Sequence, residues 1–109
     1  MIYRFFNKDN FVDFSSGRVL YHKSGFPNFP VRLAGELFSR CLELTGKDRD
    51  IILYDPCCGC GYTVTVLGFL FNSKIKTIFA SDILEEAVET ANKNLSLLTH
   101  QGIEKRRNY

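Results

Sequence analysis

At 109 residues, with 45% apolar and 14% aromatic content, the chain has material for one packed domain and too much apolar character for a disordered segment. Its formal charge of +2, from 14 Lys and Arg against 12 Asp and Glu, is too evenly balanced to mark a nucleic-acid binder by charge alone. No apolar run approaches the ~18 residues of a membrane span, and the start interleaves Tyr3, Arg4, Phe5, Phe6, Lys8 and Asp9 where a signal peptide would be continuously apolar, so a soluble, cytoplasmic protein is expected.

Residues 1–29 mix aromatics with Gly17, Gly25 and Pro27 and hold neither a helical nor a strand period, which predicts an irregular arm with a short strand or turn around Arg18 to Tyr21. From Pro30 onward, Leu33, Leu37, Cys41 and Leu44 recur at helical spacing, widened by Ala34 and Phe38. A helix from Val31 to Thr45 follows, with Gly46 as its stop. Ile51 to Tyr54 is a short apolar run ending in Asp55 and Pro56, the pattern of a buried parallel strand. Tyr62 to Phe71 is apolar almost all round and predicts a helix laid on a sheet. A second strand closes at Ala80, before Ser81 and Asp82. Asp82 is suited to cap a last helix whose apolar face is Leu84, Ala87, Val88, Ala91, Leu95 and Leu98.

This alternation predicts a βαβ unit, with ligands expected beyond the carboxyl ends of the strands, where Asp55 and Asp82 both fall. The organisation is then an arm and helix over residues 1–46 and a first βαβα portion of a ligand-binding α/β domain over residues 47–109.

Between strand and helix stands Asp55-Pro56-Cys57-Cys58-Gly59-Cys60-Gly61-Tyr62. Glycines there allow a tight turn and close approach of a ligand to bare backbone, and the helix start offers free N–H groups and partial positive charge. Asp82 follows Gly59 by about the ~20-residue offset at which an acidic residue meets a ribose diol, and Ile83 offers an apolar face to an adenine. A dinucleotide site would need a third small residue where Val64 stands, so that fingerprint fails. Asp55 would repel a pyrophosphate but suits a ligand bearing an ammonium and a sulfonium, as S-adenosylmethionine does. The ordinary alternative for the loop is a plain β-to-α turn. Cys57, Cys58 and Cys60 lack a second Cys or His pair at zinc spacing, so no metal is expected, and small buried thiols are the simpler account.

The loop, together with Gly17-Arg18-Val19-Leu20 and Phe29-Pro30-Val31-Arg32-Leu33-Ala34, resembles the avilamycin-resistance family of large-subunit rRNA guanine N-methyltransferases. The resemblance runs along the whole chain but covers only the first part of the family's domain. It implies the N-terminal portion of a Rossmann-like class I methyltransferase fold, S-adenosylmethionine as cofactor, and methyl transfer to a guanine of large-subunit rRNA, with antibiotic resistance as the associated role. Carried over by position, Asp55, Pro56, Cys57, Gly59, Gly61 and Tyr62 form the cofactor loop, Asp82 and Ile83 hold the adenosine, and Arg32 reaches the methionine carboxylate. Cys60 departs from the Ser usual between the two glycines.

Catalytic residues are not assigned, because the later part of the family's domain, where base-holding residues sit, has no counterpart among these 109 positions. Two parallel strands leave a sheet edge and faces uncovered, so a truncated domain, or a partner chain completing the sheet, is expected. The competing reading is a non-catalytic remnant or interaction module that retains the βαβ core.

Overall fold

The structure, a computed structural model, describes residues 2–6, 14, 19–26 and 29–107. Its elements are α1 (Val31–Thr45), β1 (Ile51–Asp55), α2 (Tyr62–Leu70), β2 (Ile75–Ala80), α3 (Glu85–Ser96) and α4 (His100–Arg107). The α/β alternation is the one expected from the sequence, with a parallel β1–β2 pair that sets Tyr54 beside Phe79 and Asp55 beside Ala80. No helix among the described residues is long and apolar enough to cross a membrane.

Helix α1 starts after Pro30, whose φ of −58° suits a helix entry, and stops at Gly46 in the left-handed region, where the Gly46 N–H donates to the Leu42 carbonyl. Its buried face corrects the expected stripe. Val31, Ala34, Gly35, Glu36 and Phe38 are buried, whereas Leu37, Cys41 and Leu44 are exposed, Leu44 at 86%. Two lines of helical spacing can be drawn on this helix, i, i+3, i+7 through Val31 and i, i+4, i+7 through Leu37. The one that packs is Val31–Ala34–Phe38, with Ala34 and Phe38 clustering on Leu67 of α2.

Helix α2 is apolar nearly all round because it is covered nearly all round, and Tyr62, Val64, Thr65, Val66, Leu67 and Gly68 are all buried. One sheet face, through Ile51, Leu53 and Ile75, joins the Phe38–Leu67 cluster. On the other face Ile52, Tyr54 and Phe79 stand 64%, 60% and 56% exposed. Cover is therefore one-sided, which is unusual for parallel strands.

The last helix expected from the sequence, with an apolar face running to Leu98, ends at Ser96, and a further helix that the spacing did not predict follows it. After α3 the chain turns through Leu97 to Thr99 by hydrogen bonds of i→i+3 type, Leu97 N–H to Asn94 O and Thr99 N–H to Ser96 O. The Thr99 hydroxyl then accepts the Gly102 N–H at 3.1 Å, capping α4. Gly102 crosses so close to the Ser96 carbonyl that a Cβ there would overlap it. Asp82 is not the α3 cap either: that position is Leu84, and Asp82 sits two residues earlier, accepting the Leu84 N–H in an Asx turn.

Apart from Phe14, which is helical, the described parts of the arm are irregular, as expected, and Val19 to Tyr21 forms no strand; Gly17, Arg18 and Pro27 lie outside the described residues. Lacking a ladder, the arm's backbone is satisfied by helix side chains. Glu36, fully buried, accepts the N–H groups of Arg4, Phe5 and Phe6 at 2.9, 2.8 and 3.2 Å and the Arg40 Nε at 2.7 Å. Tyr62 Oη donates to the Phe14 carbonyl. Arg106 Nε donates to the Val19 carbonyl at 2.9 Å and its guanidinium stacks on Tyr21. The basic run Lys105 to Arg107 thus contributes an arm clamp as well as a solvated face.

Burial alone would raise the Glu36 pKa, but Arg40 and the three N–H groups outweigh it and bring the value from 4.5 down to about 2. Since the folded value lies below the unfolded one, this stabilisation is whole above about pH 4.5 and is lost as pH falls toward about 2. Glu36→Gln should lower Tm at neutral pH by about 5 °C or more and flatten the Tm-against-pH curve across that window; an unchanged acid slope would assign the lability to other carboxylates. A second substitution should act in the opposite sense. The Thr65 hydroxyl is buried with no hydrogen-bond partner among the described residues, so Thr65→Val should raise Tm by about 2–5 °C in a thermal melt.

Candidate cofactor site

The parallel pairing of β1 and β2 places Asp55 and Ser81 at one edge, and hydrogen bonds continue from the strands into the loop. Ser81 N–H donates to the Asp55 carbonyl at 3.0 Å and Cys58 N–H to the Ser81 carbonyl at 2.9 Å. Gly59 N–H then donates to Asp82 Oδ2 at 2.9 Å. Cys57 N–H folds back onto Asp55 Oδ1 at 3.0 Å, and the Ser81 hydroxyl lies between Tyr54 Oη and the Pro56 carbonyl. The end of β2 is thus a template on which the loop is laid. Gly61 closes the turn with its N–H on the Cys58 carbonyl at 2.9 Å and a φ of +72°.

The loop borders a cavity of about 410 Å³ whose walls include Asp55, Cys57, Gly59, Tyr62, Phe26 and Phe29. At its floor begins α2, whose first N–H groups, Tyr62 and Thr63, have no partner within the helix. The site therefore offers a carboxylate, bare backbone, free helix N–H groups and aromatic walls within one recess. Asp82 carries a lowered pKa because the N–H groups of Leu84 and Gly59 favour its charged form. Each of its oxygens accepts one of those bonds and keeps acceptor capacity for hydroxyls. Burial, reinforced by Asp55 and Asp82, pushes the Cys58 thiol up, and burial does the same for Cys60, so both are neutral thiols rather than nucleophiles.

The structure brings Asp55, Cys57, Gly59 and Tyr62 to the cavity wall and ties Asp82 to it through Gly59. Gly61 lies behind the wall, and Pro56 contributes its carbonyl to the Ser81 bond. Ile83 is 98% exposed and is not among the residues that line the recess. Arg32 is directed elsewhere: its Nε donates to the Phe6 carbonyl and its guanidinium lies 4.0 Å from the Tyr3 ring centroid. Of the three loop thiols only Cys60 is buried; Cys58 is half-buried and Cys57 exposed, which corrects the expectation of three packed thiols. No group of three or more His, Cys, Asp or Glu side chains among the described residues is placed to hold a metal ion. Phe26, Phe29, Thr63 and Ser81 were not singled out from the sequence; the two phenylalanines lie in the aperiodic arm, where spacing gives no signal.

The sequence matches the family of rRNA methyltransferase AviRa over residues 1–109. A 23S rRNA (guanine(2535)-N(1))-methyltransferase of Streptomyces viridochromogenes is 45% identical over 91 residues, 84% of this chain and 36% of that protein. An uncharacterized RNA methyltransferase of Streptococcus pneumoniae is 36% identical over 58 residues, 53% of this chain and 12% of that protein. The solved structure of the rRNA methyltransferase AviRa from Streptomyces viridochromogenes matches with a TM-score of 0.84 at 43% identity, covering 89% of this chain and 39% of that chain. The chain spans well under half the length of these relatives.

Gly61 is fixed by conformation and by space, since an added Cβ would lie 2.9 Å from the Ala91 Cβ on α3. Gly61→Ala should lower Tm by roughly 5–15 °C. Adding Ala91→Gly should restore only part of the loss, because the Ala91 Cα would still lie 3.0 Å from the added Cβ and the positive φ is unchanged; full recovery in the double variant would show that neither of these costs anything.

Proposed function

Because the chain belongs to the AviRa family of rRNA methyltransferases, we propose that it supplies the S-adenosylmethionine-binding part of an enzyme that methylates a guanine of large-subunit rRNA. The single observation that carries this reading is the recess at the strand ends, where Asp55, the Gly59 and Cys60 segment and the start of α2 meet, with Asp82 tied to it through the Gly59 N–H. Its donor set fits the cofactor. Asp55 suits the ammonium, the Tyr62 and Thr63 N–H groups suit the carboxylate, and Asp82 suits the ribose hydroxyls. Phe26, Phe29 and Ile83 supply apolar surface for the adenine. When bound, the cofactor supplies an electrophilic methyl group on sulfur, and the chain's own residues hold and orient it for attack by a guanine nitrogen. Arg32, engaged with the arm, has no part in this assignment.

The rRNA partner follows from the family, and the sheet suggests a second one. The exposed stripe Leu37, Cys41 and Leu44 on α1 runs toward β1, with Cys41 sharing a cleft of about 380 Å³ with Ile51, Ile52 and Leu53. With Ile52, Tyr54 and Phe79 it forms apolar surface of the kind a parallel sheet normally buries. The proposed occupant is a polypeptide carrying the part of the family's domain that this chain does not span, adding a strand at the open edge of β1.

The test is calorimetric titration of the folded chain with S-adenosylmethionine, with Asp82→Ala beside it. Saturable binding, weakened about tenfold or more in the variant, is the expected result, followed by methyl transfer to 23S rRNA once the completing polypeptide is added. A folded chain that binds no cofactor, alone or completed, would instead identify a non-catalytic remnant of the family.

A further inference from the structure

Asn94, on α3, does not line the recess, yet it is wholly buried and its amide joins two distant segments. Its Oδ1 accepts the Tyr21 N–H at 2.6 Å, and its Nδ2 donates to the Tyr21 carbonyl at 3.1 Å and to the Cys60 carbonyl at 2.9 Å. Tyr21 thus has both backbone groups paired as in a strand ladder, with a side-chain amide standing in for the neighbouring strand. The third bond fixes the peptide between Cys60 and Gly61, the turn that starts α2. Ala91, three residues before Asn94, is the residue against which Gly61 packs, so one face of α3 supplies both the steric and the polar hold on the loop.

We propose that Asn94 is a positioning residue through which the arm sets the conformation of the Cys60–Gly61 turn and thereby the affinity for S-adenosylmethionine, an inference that rests on the cofactor reading above. The arm side of the link is itself fixed. Leu20 is 1% exposed in a cluster with Tyr62, Val66 and Leu97. Tyr21 meets Arg106 and Lys93 at 4.3 and 5.9 Å from its ring, and Arg106 holds the carbonyls of Val19 and Leu20. An amide fits this position: an aspartate would set a carboxylate against two carbonyls, and a leucine would remove all three bonds, the buried one to the Cys60 carbonyl among them.

The experiment compares Asn94→Asp, which keeps the acceptor for Tyr21 N–H and loses both donations, with Arg106→Met, which loosens the arm without touching the loop. Phe38→Leu, in the separate Ala34–Leu67 cluster, is the control for general destabilisation. In each full-length chain, alkylation of the buried Cys60 by iodoacetamide is followed by mass spectrometry, and S-adenosylmethionine affinity is measured on the folded fraction. The expected result is alkylation about tenfold faster in both test variants, with cofactor affinity reduced to a similar degree, and neither change in the control. Cys60 protection in Asn94→Asp equal to that of the control would overturn the proposal, and protection retained in Arg106→Met alone would remove the arm from it. Should the unmodified chain bind no cofactor, the function reading fails while the alkylation rates still decide the coupling.

Discussion

The constraint on which the rest of the site depends is the parallel pairing of β1 with β2. It delivers Asp55 and Ala80 side by side, so that the next residues of each strand meet at the same edge. From there the hydrogen bonds pass without interruption from Ser81 to Cys58 and from Asp82 to Gly59. A loop built this way needs little intrinsic rigidity, because its backbone donors are spent on the neighbouring strand end. Asp82 therefore has a structural task before any ligand arrives, and the N–H groups that favour its charged form belong to Leu84, at the start of α3, and to Gly59, in the loop.

The second constraint comes from the arm. A segment with no periodicity cannot pair its own backbone, and burying it requires donors and acceptors from elsewhere. Glu36, Tyr62, Asn94 and Arg106 provide them from α1, α2, α3 and α4. Each is a polar or charged side chain, and each is tied to the arm's main chain. Such bonds are indifferent to the arm residue's identity but sensitive to its path, which suits a segment whose role is to be held in place.

This division explains what was legible in the sequence. Apolar periodicity gave α2 and the strand cores, and Gly46, Gly59 and Gly61 marked turns whose positive φ the structure realises. The same reading included the buried Ala34 and Phe38 but centred the α1 stripe on Leu33, Leu37, Cys41 and Leu44, which satisfy helical spacing as well as Val31, Ala34 and Phe38 do, and only tertiary contact separates them. It carried the last helix to Leu98, because Leu95 and Leu98 continue the apolar face past the end of α3 at Ser96, and it assigned no element to His100–Arg107. Buried Glu36 and Asn94 were invisible to a method that counts apolar positions, and Arg32 resembled a ligand contact because the residues that occupy it, Tyr3 and Phe6, lie far from it in sequence.

The misread stripe is informative in its own right. Sequence periodicity reports the faces that are buried in the environment for which the sequence is suited, whereas the structure reports what this stretch of chain buries by itself. On α2 the two agree. On α1 and the outer face of the sheet they differ, and the surplus apolar positions, Leu37, Cys41, Leu44, Ile52, Tyr54 and Phe79, border one another around the open edge of β1. A random scatter of exposed apolar side chains would need no explanation. A contiguous set along an unpaired parallel strand edge matches the surface that another strand and its helices cover in a two-sided α/β sheet. Because Asp55 closes that same strand and lines the recess, the β1 edge and the recess are neighbouring features of one element.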